Sequence, residues 1–199
     1  MLRTLRSVVR LRRPEFNRTT RRLAVAANVD DLRAMAKRRL PGGVFDYIDG
    51  GAEDEVTLSR NVEVFRRAEF RPRVLRDMGT IRTSSTLLGR PLDLPFVIAP
   101  TGFTRIADPA GELAVVRAAG RAGVPFTLST MGTRSIEECA EVAGDDSRLW
   151  FQVYTWRDRD RVKGLVERAA TAGFEALVLT VDTAVLGRRE RDVRRGFTL

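Results

Sequence analysis

Four short apolar runs recur at a nearly constant interval, and this recurrence constrains the fold more than any other feature. Their centres lie near residues 97, 127, 151 and 179, a repeat of ~25–30 residues, which is the length of a strand–helix unit. The first run, Pro95-Phe96-Val97-Ile98-Ala99, has no polar alternation and stops at Pro100-Thr101-Gly102. An apolar run of this kind suits a strand buried on both faces, as in a parallel sheet. The spacing then predicts a helix over 111–122, a strand over 125–130 and a helix over 135–142, with Ser135 as N-cap and Glu138 completing a capping box. A third strand is expected over 149–154, a helix over 158–172 and a fourth strand over 176–182. No helix is expected after the fourth strand, and 183–199 reads as an Arg-rich loop.

Parallel strands joined by helices allow two architectures. A doubly wound sheet that binds a dinucleotide carries G-x-G-x-x-G after its first strand, and that pattern is absent. A (β/α)8 barrel places its chemistry at the C-terminal ends of several strands. Here those ends carry Pro100-Thr101-Gly102, Ser129-Thr130, Gln152 with Tyr154, and Thr180 with Asp182. A polar residue at every strand end favours the barrel. Four strands do not close one, so the expected fold is α/β, a TIM-barrel type truncated to about its first four strands. Upstream, 29–40 reads as a helix with acids at its start and bases at its end. A helical turn at 44–48, a helix over about 53–67, an extended segment at 70–76 and a small hairpin over 83–93 follow. The resulting division is a basic arm (1–28), helices and hairpin capping the barrel (29–94), and half a barrel (95–199).

Composition narrows the chemistry. The chain holds no histidine, which removes Ser-His-Asp, Cys-His and His-ligated zinc sites. Cys139 is its single cysteine, so no intrachain disulfide forms and a reducing, cytoplasmic setting is compatible. Glu53-Asp54-Glu55 reads as an acidic helix start, and no metal site is expected. Residues 1–40 carry eleven Arg and one Lys against Glu15, Asp30 and Asp31, which equals the whole net charge of +9. The body is neutral, so the basic balance does not make it a nucleic-acid binder, and no nucleic-acid partner is expected. Leu2, Leu5, Val8 and Val9 sit among arginines at helical spacing. That pattern fits an amphipathic helix on an anionic membrane surface and a surface-packed arm equally well.

Motifs in order and spacing carry a resemblance. They are Phe45-Asp46-Tyr47-Ile48-Asp49-Gly50-Gly51-Ala52-Glu53-Asp54-Glu55, Ile98-Ala99-Pro100-Thr101-Gly102-Phe103, Leu128-Ser129-Thr130 and Trp150-Phe151-Gln152-Val153-Tyr154. Leu179-Thr180-Val181-Asp182-Thr183 and Leu186-Gly187-Arg188-Arg189-Glu190 complete the set. Over roughly 29–199 the chain resembles the N-terminal half of the FMN-dependent α-hydroxy-acid oxidoreductases, and its basic arm resembles quinone- or respiratory-chain-linked L-lactate dehydrogenases. The resemblance implies FMN as cofactor, with Pro100, Thr101 and Gly102 beside the flavin ring and Ser129, Gln152 and Thr180 bonded to its polar edge. It implies that Tyr47 and Arg189 bind the substrate carboxylate and that Tyr154 meets the substrate hydroxyl. Asp182 would orient a catalytic histidine. Met131 stands where many members carry an aromatic.

By the same resemblance, the histidine, a second carboxylate-binding arginine, the flavin lysine and the phosphate loops belong to a second half without counterpart here. The expectation is of a truncated member of a family that oxidises a small L-2-hydroxy acid, L-lactate to pyruvate first among them, with little or no activity of its own. Intact members are expected to be homo-oligomers that pass electrons to a quinone or respiratory-chain acceptor. The alternative is a non-enzymatic fragment that self-associates through open strand edges or sits peripherally on the cytoplasmic face of a membrane.

Overall fold

The computed structural model describes residues 15–197. The expected helix around residues 2–9 lies outside them. The arm instead shows a helix that its sequence did not announce, α1 (Arg18–Leu23), where the Asn17 side chain accepts from the N–H groups of Thr19 and Thr20. α2 (Val29–Arg39) starts at Asn28, whose side chain accepts from Asp31 N–H, and it carries Asp30 and Asp31 first and Lys37, Arg38 and Arg39 last. α3 (Gly42–Asp49) is longer than the single turn expected. α4 (Val56–Arg66) starts later than expected, after Glu55 in a left-handed conformation. Residues 70–76 form no strand. The hairpin is present: β1 (Ser85–Leu87) pairs antiparallel with β2 (Arg90–Leu92).

The βα alternation follows. A 3-10 turn at Thr104–Ile106 precedes α5 (Gly111–Arg121), β3 (Phe126–Leu128) and α6 (Ile136–Glu141), the last opened by the expected capping box of Ser135 and Glu138. β4 (Leu149–Val153), α7 (Arg159–Thr171), with Asp158 as cap, and β5 (Ala176–Leu179) complete a parallel sheet of order β3-β4-β5. The result is an α/β fold with N-terminal helices and an incomplete, partly parallel strand set of the TIM-barrel type. Among the described residues, no helix is long and apolar enough to cross a membrane.

Three expectations are corrected. The run at 95–99 is not a full strand. It reduces to one parallel bridge, Ile98 to Phe126, held by Ile98 N–H donating to Pro125 O and Thr127 N–H donating to Ile98 O. Pro95 and Pro100 have no N–H to extend that ladder. β3 and β5 are shorter than expected, so Ser129, Thr130 and Asp182 stand on loops beyond the strand ends. A helix does follow the last strand: α8 (Glu190–Arg195). Its few apolar residues hid it, and it is anchored by ion pairs rather than by a greasy face.

Register divides the sheet into two faces, because side chains alternate along a strand. On one face, Leu128 stands opposite Phe151, which stands opposite Leu177, and Val153 stands opposite Leu179. Phe126, Leu128, Phe151 and Val153 are buried there against Val116 and Ala119 of α5, Ile136 and Cys139 of α6, and Ala169 of α7. Phe151 meets Phe174 edge-on, with centroids 6.3 Å apart. This is the core, and each large side chain in it contributes about 1.5–3 kcal/mol of burial. The opposite face carries Thr127, Trp150 and Gln152, and beyond Val178 it leads to Thr180. The polar pocket opens at the C-terminal end of that face.

Candidate functional site

The pocket is built by strand-end loops. Phe103, at φ +55°, donates its N–H to Met131 O, which ties the loop after the first run to the loop after β3. Gly102 makes this approach possible: a Cβ there would lie 3.0 Å from the Met131 Cβ. Behind the β3 loop, the buried carboxylate of Glu112 accepts from Thr133 N–H at 2.6 Å and from the Thr133 hydroxyl at 2.8 Å. Burial opposes ionisation of Glu112, but these donors hold its carboxyl below its usual value.

The floor is a closed hydrogen-bond chain. Ser129 Oγ donates to Gln152 Oε1 at 3.1 Å, Thr130 N–H donates to the same oxygen at 3.0 Å, and Gln152 Nε2 donates to Thr180 Oγ1 at 2.8 Å. Thr130 Oγ1 donates to the Gln152 carbonyl. Gln152 is 1% exposed, so its side chain is fixed by partners rather than by solvent.

A cavity of 460 Å³ brings together Pro100, Gly102, Ser129, Gln152, Thr180, Tyr154 and Asp182 from the barrel half with Tyr47 from α3. These were the sequence candidates, with two exceptions. Thr101 is exposed and does not line the cavity. Arg189 lies one layer back, its guanidinium 5.0 Å from the Tyr47 ring centroid. Tyr47 also packs edge-on against Phe103, with centroids 6.4 Å apart.

Arg189 is not a free loop charge. It donates to Asp192 at 2.8 Å and to the carbonyl oxygens of Tyr47 and, at 3.2 Å, Gly50. Those carbonyls belong to the C-terminal end of α3, where helical acceptors lack intrahelical donors. α3 is also unusual in carrying Asp46 and Asp49 at that end, against the helix dipole. Cations from elsewhere offset this. Arg191 pairs with Asp49 at 2.8 Å and with Glu55 at 2.5 Å, Arg33 also pairs with Asp49, and Arg195 pairs with Asp46. Arg33 first, and Arg191 after it, hold the Asp49 carboxyl at about 2. Arg191 and the Gly51 N–H keep Glu55 below its usual value.

Sequence reasoning missed this junction. Asp46 and Asp49 three residues apart, and Arg191 and Arg195 four apart, were its signal, since each pair shares one helix face. Cys139 is buried on α6, and burial pushes its thiol up to about 12. Among the described residues no cluster of three or more metal-ligating side chains is present.

Comparison with known proteins follows the same lines. The model of the FMN-dependent dehydrogenase family matches residues 36–199. A Mycobacterium tuberculosis protein named "Putative L-lactate dehydrogenase" is 49% identical over 198 residues, covering 100% of this chain and 48% of the relative. The L-lactate oxidase of Nostoc sp. is 47% identical over 174 residues, covering 86% of this chain and 48% of the relative. Among solved structures, a mandelate oxidase superposes with a TM-score of 0.82 at 44% identity, over 87% of this chain and 52% of that one. The membrane-associated (S)-mandelate dehydrogenase from Pseudomonas putida, as a soluble mutant, gives 0.82 at 42% identity, over 86% and 48%. The chain thus spans about half the length of the curated relatives it matches. With its motifs, its strand-end pocket and these matches in agreement, the chain belongs to the FMN-dependent dehydrogenase family of α-hydroxy-acid oxidases and dehydrogenases.

Proposed function

We propose that this chain supplies the flavin-ring and substrate side of an FMN-dependent oxidation of a small L-2-hydroxy acid, L-lactate to pyruvate being the specific reaction. The carrying observation is the convergence of the strand-end residues and Tyr47 on one cavity of 460 Å³. The donor set fits a flavin ring. Gln152 spends one Nε2 proton on Thr180, so its second N–H and the Thr180 O–H remain to meet an acceptor-rich heteroaromatic edge. Close backbone at Pro100 and Gly102 suits a flat apolar face.

FMN, when bound, is the two-electron acceptor for the hydroxy acid. Within this chain, Ser129, Gln152 and Thr180 orient and desolvate the ring edge. Tyr154 donates to the substrate hydroxyl oxygen, and Tyr47, held by Arg189, donates to the carboxylate. Asp182, a carboxylate of the same cavity, would orient a histidine base and stabilise it once protonated. The chain contains no histidine, and a missing general base costs ~10²–10⁴ in rate. Residues 1–199 alone therefore turn over L-lactate slowly or not at all, and clear turnover by the purified chain would overturn this part.

The ring site is tested with lumiflavin, the ring without its phosphate. Saturable quenching of its fluorescence is expected, weakened about tenfold by Thr180→Val. Absence of binding, or equal binding by the variant, rejects the site.

For the intact assembly we infer a homo-oligomer whose reduced flavin passes electrons to a quinone or respiratory-chain acceptor. The matched (S)-mandelate dehydrogenase is described as membrane-associated, and the positive charge of residues 1–40 supports a cytoplasmic location with peripheral contact to an anionic membrane face. A second reading, self-association without catalysis, is favoured by β5. Leu177 and Leu179 lie on the core-facing side of the sheet yet are 52% and 54% exposed.

A further inference from the structure

The cationic charge at the N-terminus is not spread evenly over a tail; part of it rims a groove. α1, α2 and the loop around Asp108 enclose a cavity of 530 Å³ whose walls include Leu23, Leu32, Met35 and Leu40 as well as Arg18, Arg22, Arg38 and Arg39. Arg39 pairs with Asp108 at 3.2 Å. Arg18, Arg22 and Arg38 have no carboxylate partner among the described residues, unlike the arginines of α8 that face α3. Asp31 of α2 accepts from Ala27 N–H at 2.8 Å and lines a neighbouring cleft with Arg22 and Arg38, with no ion pair to either. The groove is therefore an apolar slot with a net positive rim, four arginines against Asp108. Its flanks continue the pattern, since Leu23, Val25 and Val29 are exposed.

We propose that this groove seats an anionic phospholipid of a membrane surface, the arginines taking the headgroup phosphate and the apolar walls taking the first methylenes of an acyl chain. The inference rests on the peripheral membrane contact proposed above and locates it. Charge complementarity selects the occupant. A bare phosphate would use the rim but leave the apolar walls wet, and a neutral lipid would leave three guanidinium groups without a counter-charge. A single-stranded nucleic acid would need stacking platforms, and among the described residues no aromatic side chain lines the groove. Amphipathic side chains suit the role, because arginine stems lie along apolar surface while their heads reach a phosphate plane.

The test is co-sedimentation of the full chain with phosphatidylglycerol vesicles and with phosphatidylcholine vesicles. Three variants accompany the parent protein: Arg22→Ala with Arg38→Ala, Met35→Glu, and Arg117→Ala with Arg121→Ala as a charge-matched control on α5. Far-UV circular dichroism verifies folding of each. The parent is expected to prefer phosphatidylglycerol, the groove pair to lose about tenfold or more of that partition, and the control pair less than about twofold. Met35→Glu keeps every arginine and is expected to lose binding as well. A parent with no preference for phosphatidylglycerol overturns the membrane contact and this inference together. Equal losses in the groove and control pairs leave the contact standing, as diffuse attraction, and overturn the groove. Undiminished binding by Met35→Glu overturns the acyl seat.

Discussion

Two arginine-rich regions of this chain do opposite work. At the α3–α8 junction, Arg191 and Arg195 each meet carboxylates of α3, and Arg189 covers that helix's last carbonyls. In the α1–α2 groove, Arg18, Arg22 and Arg38 meet no carboxylate among the described residues. The first set is bound into the fold and holds Tyr47 at the pocket. The second makes no ion pair among the described residues and, on the lipid reading above, is turned to an external anion. Counting arginines does not separate the two roles; pairing does, because a half-buried carboxylate stripped of its cation is expensive, whereas an exposed guanidinium is well solvated on its own.

The sharpest way to break the contrast is Arg191→Ala. It leaves Glu55 without its cation and Asp49 with Arg33 alone, and a loss of about 2–3 kcal/mol in urea-unfolding stability is expected, with Arg191→Lys restoring only part. A loss below about 0.5 kcal/mol would place this junction with the surface pairs.

Acid is the next probe. Asp49 is held at about 2, below its ordinary 3.8, so the folded state binds fewer protons there than the unfolded chain. Its contribution is complete above pH 4 and is lost as pH falls toward 2, amounting to about 2 kcal/mol. Thermal melts of the parent across that window should drop more steeply than those of Asp49→Asn. Parallel slopes would show that Asp49 is not the responsible group.

A smaller change is expected from Arg189→Lys. A point charge does not both stack on Tyr47 and serve several carbonyls, so about 1 kcal/mol is lost. The near-ultraviolet dichroism of the tyrosines should shift with it. An unchanged spectrum would separate Arg189 from the placement of Tyr47.

The smallest effect belongs to the other region. Arg22→Ala with Arg38→Ala should alter stability by less than about 0.5 kcal/mol. A larger loss in urea unfolding would mean the groove arginines are structural and would erase the contrast.

Much of the barrel half was legible because its signals are local. The capping box at Ser135 and Glu138 depends on residues three apart. The apolar runs of β3 and β4 depend on what their own side chains can bury. The candidates Ser129, Gln152 and Thr180 followed from strand ends and resemblance, and the sheet register brought them into one hydrogen-bond chain. The run at 95–99 misled for an equally local reason. Its side chains suit a strand, but the ladder depends on N–H groups that its flanking prolines lack.

The sequence by itself determined the βα alternation, the family and the polar strand ends, because each is written in residues near one another along the chain. Only the tertiary structure decided that α8 exists as an anchored helix and that Arg189 serves Tyr47 from behind rather than waiting in a loop. It also decided which of the described arginines pair with a carboxylate and which do not. Arg191 and Asp49 lie 142 residues apart. No periodicity links them, and their attraction acts only over the few ångströms to which folding brings them.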